Sequence, residues 1–217
     1  MSLSASPTFD AAAGAAAGSA AVAARIGPNA VLQLVESLAA RDLADLTGPL
    51  FRHAGVADWL EAPPRAMVDE RRVARLHREV RTVLPTGEAN ATLAEAGRRT
   101  ADYLLANRIP APARALLKTL PAGPAAGMLV AAIRANAWTF AGSSRFDAAV
   151  SGAQAEFTLV GNPLCAGEIA AEPICAWHAA VFQRLFQVLV SPRTVVTETH
   201  CEARGDESCR FVADWRR

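Results

Sequence analysis

The stretch TETHCEARGDESCRF, residues 197–211, sets a highly charged turn, ARGDE, between two runs of strand-forming residues. TVVTETHC leads into the turn and SCRFVADW leads out, so the chain closes on an antiparallel hairpin. Cys201 and Cys209 flank the turn and can face each other across it, and Glu198 lies three residues ahead of the first. A disulfide, a metal site and a plain hairpin with buried, incidental thiols all fit that spacing.

Working outward, CAWHAAVFQRLFQVLV (175–190) reads as one long helix that runs directly into the hairpin. Ahead of it, AWTFAGS (137–143), SRFDAAVS (144–151) and QAEFTLVG (154–161) are short, rich in aromatic and branched residues and separated by Gly and Ser, so all three are expected to be antiparallel strands. The first two thirds read as helical. In PNAVLQLVESLAARD (28–42), Val31, Leu34, Val35 and Leu38 share one face, and DLADLTGPLFRHAG (42–55) is a shorter helical stretch ending at Gly55. AMVDERRVARLHREVRTVL (66–84) is amphipathic, with Val73, Leu76 and Val80 on one stripe and arginines opposite, and Pro85 with Gly87 should break it. TLAEAGRRTADYLLANR (92–108) resumes as helix, residues 108–123 form a proline-punctuated link with one short helix, and GPAAGMLVAAIRANA (123–137) is apolar nearly all round and expected to be buried. The fold class is α+β: a helical half packed on a small antiparallel sheet. The expected organisation is a loose Ala/Gly-rich tail over 1–25 and a single domain over 26–217, with the cysteines in its C-terminal part from about 136.

A formal charge of +1 and a pI near 7.8 exclude the clearly basic footprint of a nucleic-acid binder. Of the 22 basic residues Lys118 is the only lysine, which fits a biased genome composition better than an arginine-specific function. The run AAAGAAAGSAAVAAR (11–25) is small, glycine-broken and preceded by Asp10, so it lacks the charged start of a secretory signal. A cytoplasmic location is expected. Thiols there stay reduced, and cysteines point to metal or catalysis before disulfides.

Cys175 begins the long helix, so three sulfurs and the Glu198 carboxylate can converge from a helix start and a hairpin. That donor set suits tetrahedral zinc, with Arg204 and Arg210 near enough in sequence to offset charge. Buried thiols without metal remain the alternative on spacing alone. His200 is a further candidate ligand, although strand alternation points it away from Cys201 unless a bulge intervenes.

The pattern E-x-x-C-x-A-x-G-D-x-x-C-x-F, carried by Glu198, Cys201, Ala203, Gly205, Asp206, Cys209 and Phe211, resembles the end of the vinyl-reductase domain family. Related domains occur in the sensor modules of bacterial phenol-responsive activators. The resemblance implies a zinc held by Cys175, Glu198, Cys201 and Cys209. Three thiolates and a carboxylate close the shell, so that zinc would be structural. Cys165 has no counterpart and is expected to stand free. IGPNAVLQL (26–34), NRIPAPARALLKTLP (107–121), AWTFAGSSRF (137–146) and NPLC (162–165) resemble a bacteriochlorophyll-biosynthesis branch of that family. The implied fold is that of vesicle-tethering TRAPP subunits and haem-based nitric-oxide sensors, which hold an apolar ligand between helices and sheet.

The implied function is a tetrapyrrole-binding accessory or carrier protein. Its ligand would be a magnesium-porphyrin, protochlorophyllide or chlorophyllide intermediate, handled in the cytoplasm or at the periphery of the photosynthetic membrane. The family name instead implies a 4-vinyl reductase acting on divinyl protochlorophyllide or chlorophyllide. A third reading is a partner subunit of the magnesium chelatase or the following methyltransferase, and a homodimer fits the family. A reductase needs a hydride from nicotinamide or flavin. GAAAGSAA and GPAAGM are glycine-rich, but neither follows a strand and no G-x-G-x-x-G fingerprint is present. No catalytic residue is identified. Ligand-binding candidates are Trp138 and Phe140, with Phe146 and Phe157, as stacking or core aromatics; Arg108, Arg134 and Arg145 as carboxylate partners; and His77 and His178, ahead of His53 and His200, as axial ligands.

Overall fold

The computed structural model describes residues 24–216. Nearly all of the expected tail lies outside the described residues. Arg25, at its end, is instead paired in β1 (Arg25–Ile26) with β2 (Val68–Asp69). The helices are α1 (Asn29–Ala40), α2 (Thr47–His53), α3 (Asp58–Glu61), α4 (Glu70–Val83), α5 (Thr86–Asn107), α6 (Ala111–Thr119), α7 (Ala122–Ala135) and α8 (Ala176–Leu189). The larger sheet holds β3 (Arg145–Ser151), β4 (Gln154–Val160), β5 (Val195–His200) and β6 (Cys209–Asp214) in the order β3-β4-β6-β5, antiparallel throughout. The α+β reading therefore holds, and no parallel strand pair of a dinucleotide-binding unit exists among the described residues.

Alternation builds the sheet's inner face: Ala155, Phe157 and Leu159 of β4 and Cys209, Phe211 and Ala213 of β6 are buried. The residues His178, Val181, Phe182, Leu185, Phe186 and Leu189 recur at helical spacing and give α8 a buried stripe. Phe182 stacks on Phe157 at 4.2 Å between ring centroids, and Phe186 lies 6.0 Å from Trp215. On its other side α8 packs against α5 at unusually short range. A Cβ on Gly97 would stand 2.3 Å from the Trp177 carbonyl oxygen, so only glycine fits. No helix among the described residues is long and apolar enough to cross a membrane.

Three local expectations need correction. AWTFAGS is not a strand: Ala137–Thr139 is one 3-10 turn and Trp138 is 61% exposed. The Thr139 hydroxyl donates to the Asn136 carbonyl, Gly142 turns the chain at φ +59°, and Ser143 is tied to Glu70, so the segment is a loop clamped against α4. Helix α5 begins at Thr86, with Pro85 as its N-cap, because proline is compatible with a helix start and the glycine is absorbed in the first turn. Helix α7 is one-sided: Leu129, Val130 and Ile133 are buried, whereas Met128 is 48% exposed beside glycine and alanines.

Candidate metal centre and the histidine nest

Four chain segments deliver the cysteines. Cys165 ends the 3-10 turn Pro163–Cys165 after β4, where the Asn162 side chain accepts from the Leu164 N–H. Cys175 is the N-cap of α8, Cys201 follows β5, and Cys209 opens β6. All four are buried, and their sulfurs lie within 4.8 Å of one another. The Sγ separations are 3.6 Å for Cys165–Cys209, 3.7 Å for Cys175–Cys209 and 3.9 Å for Cys175–Cys201. These exceed a disulfide bond, and all four thiols are free. Zn–S bonds of about 2.3 Å at tetrahedral angles place sulfurs about 3.8 Å apart, so the spacing fits that ion without rearrangement.

Cys165, expected to stand apart, is therefore part of the cluster. Glu198 is beside it: Oε2 accepts from the Cys175 N–H at 2.8 Å, and the buried Oε1 has no partner. A spacing of three should put Glu198 and Cys201 on opposite faces of a regular strand. A register shift between Glu198 and His200 restores the parity, so both face inward while His200 is exposed, with Nδ1 3.1 Å from the Thr199 hydroxyl. Arg204 pairs with Asp206 at 3.2 Å and Arg210 donates to the Ser208 hydroxyl, so these arginines are engaged away from the sulfurs.

The charge is met by N–H donors instead. Asn162 Nδ2 donates to Cys175 Sγ at 3.3 Å and to Cys209 Sγ at 3.5 Å, and the Glu202 N–H reaches Cys209 Sγ at 3.5 Å. Such outer contacts orient ligands and favour thiolate. The Glu202 carboxylate accepts from the N–H groups of Gly161 and Asn162 at 2.6 and 2.8 Å, and Asp206 accepts from the Cys201 N–H at 2.8 Å. Asn162 and Glu202 escaped the sequence reading; only the position of Asn162 ahead of Pro163 hinted at a capped turn. Hydrogen bonds from Cys165, Cys175 and Cys209 hold the Cys201 thiol below its usual range, whereas Cys165 and the other sulfurs push Cys175 up. Burial, then Cys201, drives the Glu198 carboxyl up to about 9. The cluster is thus polarised toward partial ionisation, which a divalent cation would complete.

Three residues beyond Cys175, His178 is fully buried and neither of its ring nitrogens has a hydrogen-bond partner. Its ring sits among aromatics, 4.9 Å from Trp177, 6.0 Å from Phe211, 6.3 Å from Phe140 and 6.5 Å from Phe182. Burial lowers its pKa to about 4; the Phe140 backbone opposes that shift, but not in hydrogen-bonding geometry. His77, reaching in from α4, is 6.1 Å from Trp177; Nε2 lies 2.9 Å from the Ala30 carbonyl and Nδ1 is unpartnered. Burial lowers it to about 3. The Trp177 indole N–H is also unpartnered. The structure thus gathers His77, Phe140 and His178, with Phe146 and Phe157 in the same aromatic wall.

It does not gather the other candidates there. Trp138, Arg108, Arg134 and Arg145 lie on the surface, with Arg134 paired to Asp147 at 3.1 Å, and His53 is exposed at the end of α2. The space between α8 and the sheet, expected to be a cavity, is filled by Phe157, Phe182, Phe186 and Phe211.

The vinyl-4-reductase (V-4-R) domain family matches residues 155–214, which span β4, the cysteine cluster, α8 and the hairpin. The chain is 46% identical over 194 residues to a bacteriochlorophyll synthase 23 kDa chain from Cereibacter sphaeroides, covering 89% of this chain and 92% of that one. It is 40% identical over 189 residues to the protein of the same name from Rhodobacter capsulatus, covering 87% and 86%. Among solved structures, an H-NOX protein studied for heme distortion superposes with a TM-score of 0.54 at 13% identity, covering 88% of this chain and 96% of that one. An H-NOX protein from S. oneidensis in the Fe(II)NO state gives 0.52 at 10% identity, covering 88% and 100%. The haem-sensor-like architecture expected from the sequence is thus present. The chain belongs to the family of the bacteriochlorophyll synthase 23 kDa chains and carries a vinyl-4-reductase domain at its C-terminal end.

Proposed function

We propose that this protein is a tetrapyrrole-binding accessory protein of bacteriochlorophyll synthesis, with His178 as the axial contact to the magnesium of the bound intermediate. The observation that carries this reading is the buried imidazole with neither nitrogen satisfied. An unpaired buried polar group costs about 1–3 kcal/mol, so His178 has an interaction to gain. Its lowered pKa keeps it neutral at physiological pH, with a lone pair available. The rings of Phe140, Phe182 and Phe211 around it suit a flat apolar macrocycle. Phe140 is on the 137–144 loop rather than on the sheet or α8, so a swing of that loop would open the nest while the scaffold stays intact. Two hydrogen bonds from Ser143 to Glu70 and one from the Gly27 N–H to the Thr139 carbonyl hold it closed.

In this reading Cys165, Cys175, Cys201 and Cys209 hold a structural zinc, which supplies a rigid closed tetrahedral knot and no reactive position. It fixes the start of α8, and with it His178, to the terminal hairpin. Glu198 positions the Cys175 backbone.

Absorbance tests the assignment. Titration into divinyl magnesium-porphyrin should give a saturable shift that His178→Ala removes, and anaerobic NADPH should then leave the spectrum unchanged. A time-dependent blue shift after NADPH, as the vinyl group leaves conjugation, would establish the reductase instead. A second reading, a partner subunit of the magnesium chelatase or the methyltransferase, is favoured by the filled interior. The exposed Leu116, Met128 and Trp138 along α6, α7 and the turn after it favour it as well. No spectral shift, with co-sedimentation of the chelatase large subunit, would select it.

A further inference from the structure

Helix α4 faces two ways. Inward it sends His77 to the aromatic nest; outward it carries Arg71, Arg75 and Arg78, whose i, i+4, i+7 spacing aligns them on one side. These three line an open groove of about 300 Å³, closed by Glu70, Ser143 and the Gly161–Ala166 segment. The other two arginines of α4 are neutralised, Arg72 by Asp58 beneath its stack on Trp59 and Arg81 by Glu168. Arg71 and Arg75 have no carboxylate within reach among the described residues, and the nearest to Arg78 is Glu168 at 3.9 Å. The one acid in the groove, Glu70, is committed to Ser143 through both oxygens at 2.7 Å.

Two of the guanidiniums are held in place by backbone rather than by acids. Arg75 Nε donates to the Ala54 carbonyl at 3.0 Å and an Arg78 terminal nitrogen donates to the Ala166 carbonyl, while Arg78 Nε is buried and unpartnered. Positive charge is thus gathered, oriented and left without a counter-charge, which is the geometry of an oxyanion receptor. The groove adjoins the histidine nest through one loop, in which Phe140 packs on His178 and Ser143 lines the groove.

We propose that this groove binds carboxylate, and that it receives an acidic side arm of the ligand whose ring lies at His178. The second half rests on the function proposed above; the first does not. The arginines singled out from the sequence, Arg108, Arg134 and Arg145, have no part in it.

The test compares magnesium mesoporphyrin as the free diacid and as its dimethyl ester, alongside glutarate as a small carboxylate probe. The diacid should bind about ten-fold tighter than the ester. Arg71→Gln with Arg75→Gln should erase that preference, whereas His178→Ala should weaken both forms alike. Arg78 is kept because it anchors the segment next to Cys165. Glutarate should saturably displace the Arg71 and Arg75 Nε–Hε NMR resonances in wild type. Equal binding of diacid and ester would overturn the side-arm assignment while leaving the tetrapyrrole reading intact. If neither porphyrin binds, that reading fails and glutarate alone decides: saturable displacement keeps a carboxylate groove, and its absence overturns the groove as well.

Discussion

Replacing Gly97 by alanine should destabilise the protein although alanine is the better helix former. At an interior helical position the exchange is worth about 1 kcal/mol in favour of alanine. Against this, the new Cβ would meet the Trp177 carbonyl oxygen at 2.3 Å and the Ala180 Cβ at 3.0 Å. The oxygen belongs to the backbone of α8 and has no rotamer to escape into, so α8 must retreat from α5 by roughly 1 Å. Overpacking of this kind costs about 1–3 kcal/mol, and backbone contact places it at the upper end, leaving a net loss of about 2 kcal/mol. Gly87 in the first turn of the same helix is the control, since nothing lies within 4 Å of its added Cβ. Gly87→Ala should be neutral or stabilising by up to about 1 kcal/mol. Urea denaturation gives both midpoints at constant m-value. Because Trp177 adjoins Cys175 and His178, Gly97→Ala should also weaken porphyrin binding while Gly87→Ala leaves it alone. Equal stability of the two variants would refute the close-approach argument.

Zinc-edge X-ray absorption on metal-loaded protein should show four sulfurs near 2.3 Å, falling to three in Cys165→Ser and staying at four in Glu198→Gln; an oxygen near 2.0 Å in wild type would return Glu198 to the ligand shell. Chelation, or Cys201→Ser or Cys209→Ser, should remove metal and stability together, read as metal content and melting temperature. His77 has a folded pKa of about 3 against 6.5 unfolded, so the unfolded chain binds the extra proton. Its contribution is complete above pH 6.5 and is lost as pH falls toward 3, by roughly 2 kcal/mol between pH 6.5 and 5. His77→Gln, which keeps a donor for the Ala30 carbonyl, should flatten that part of the stability profile measured by denaturant titration. Ser143→Ala removes one hydrogen bond from the closed loop and should speed porphyrin association in stopped flow, with a stability loss of about 1 kcal/mol; an unchanged rate would separate the loop from entry.

Local pattern was enough for much of this molecule. The alternation in TVVTETHC and SCRFVADW determined the terminal hairpin, the 3.6-residue stripe of CAWHAAVF determined α8, and together they placed Cys175, Cys201 and Cys209 near one another. These features depend on neighbours in the chain, and periodicity reports neighbours. Tertiary structure decided what depends on segments far apart in sequence. Cys165 joins Cys209 across 44 positions because the Asn162-capped turn folds it back, and Glu202 pins that turn from the opposite side of the cluster. One register shift in β5 decided that Glu198 and Cys201 share a face. AWTFAGS has the composition of a strand, yet the Glu70 carboxylate claims Ser143 and a positive φ at Gly142 turns the chain away. The arginines of α4 read as an ordinary solvated face. Only the packed fold shows which have acids beside them and which do not, because an ion pair is a property of distance in space and leaves no period in the sequence.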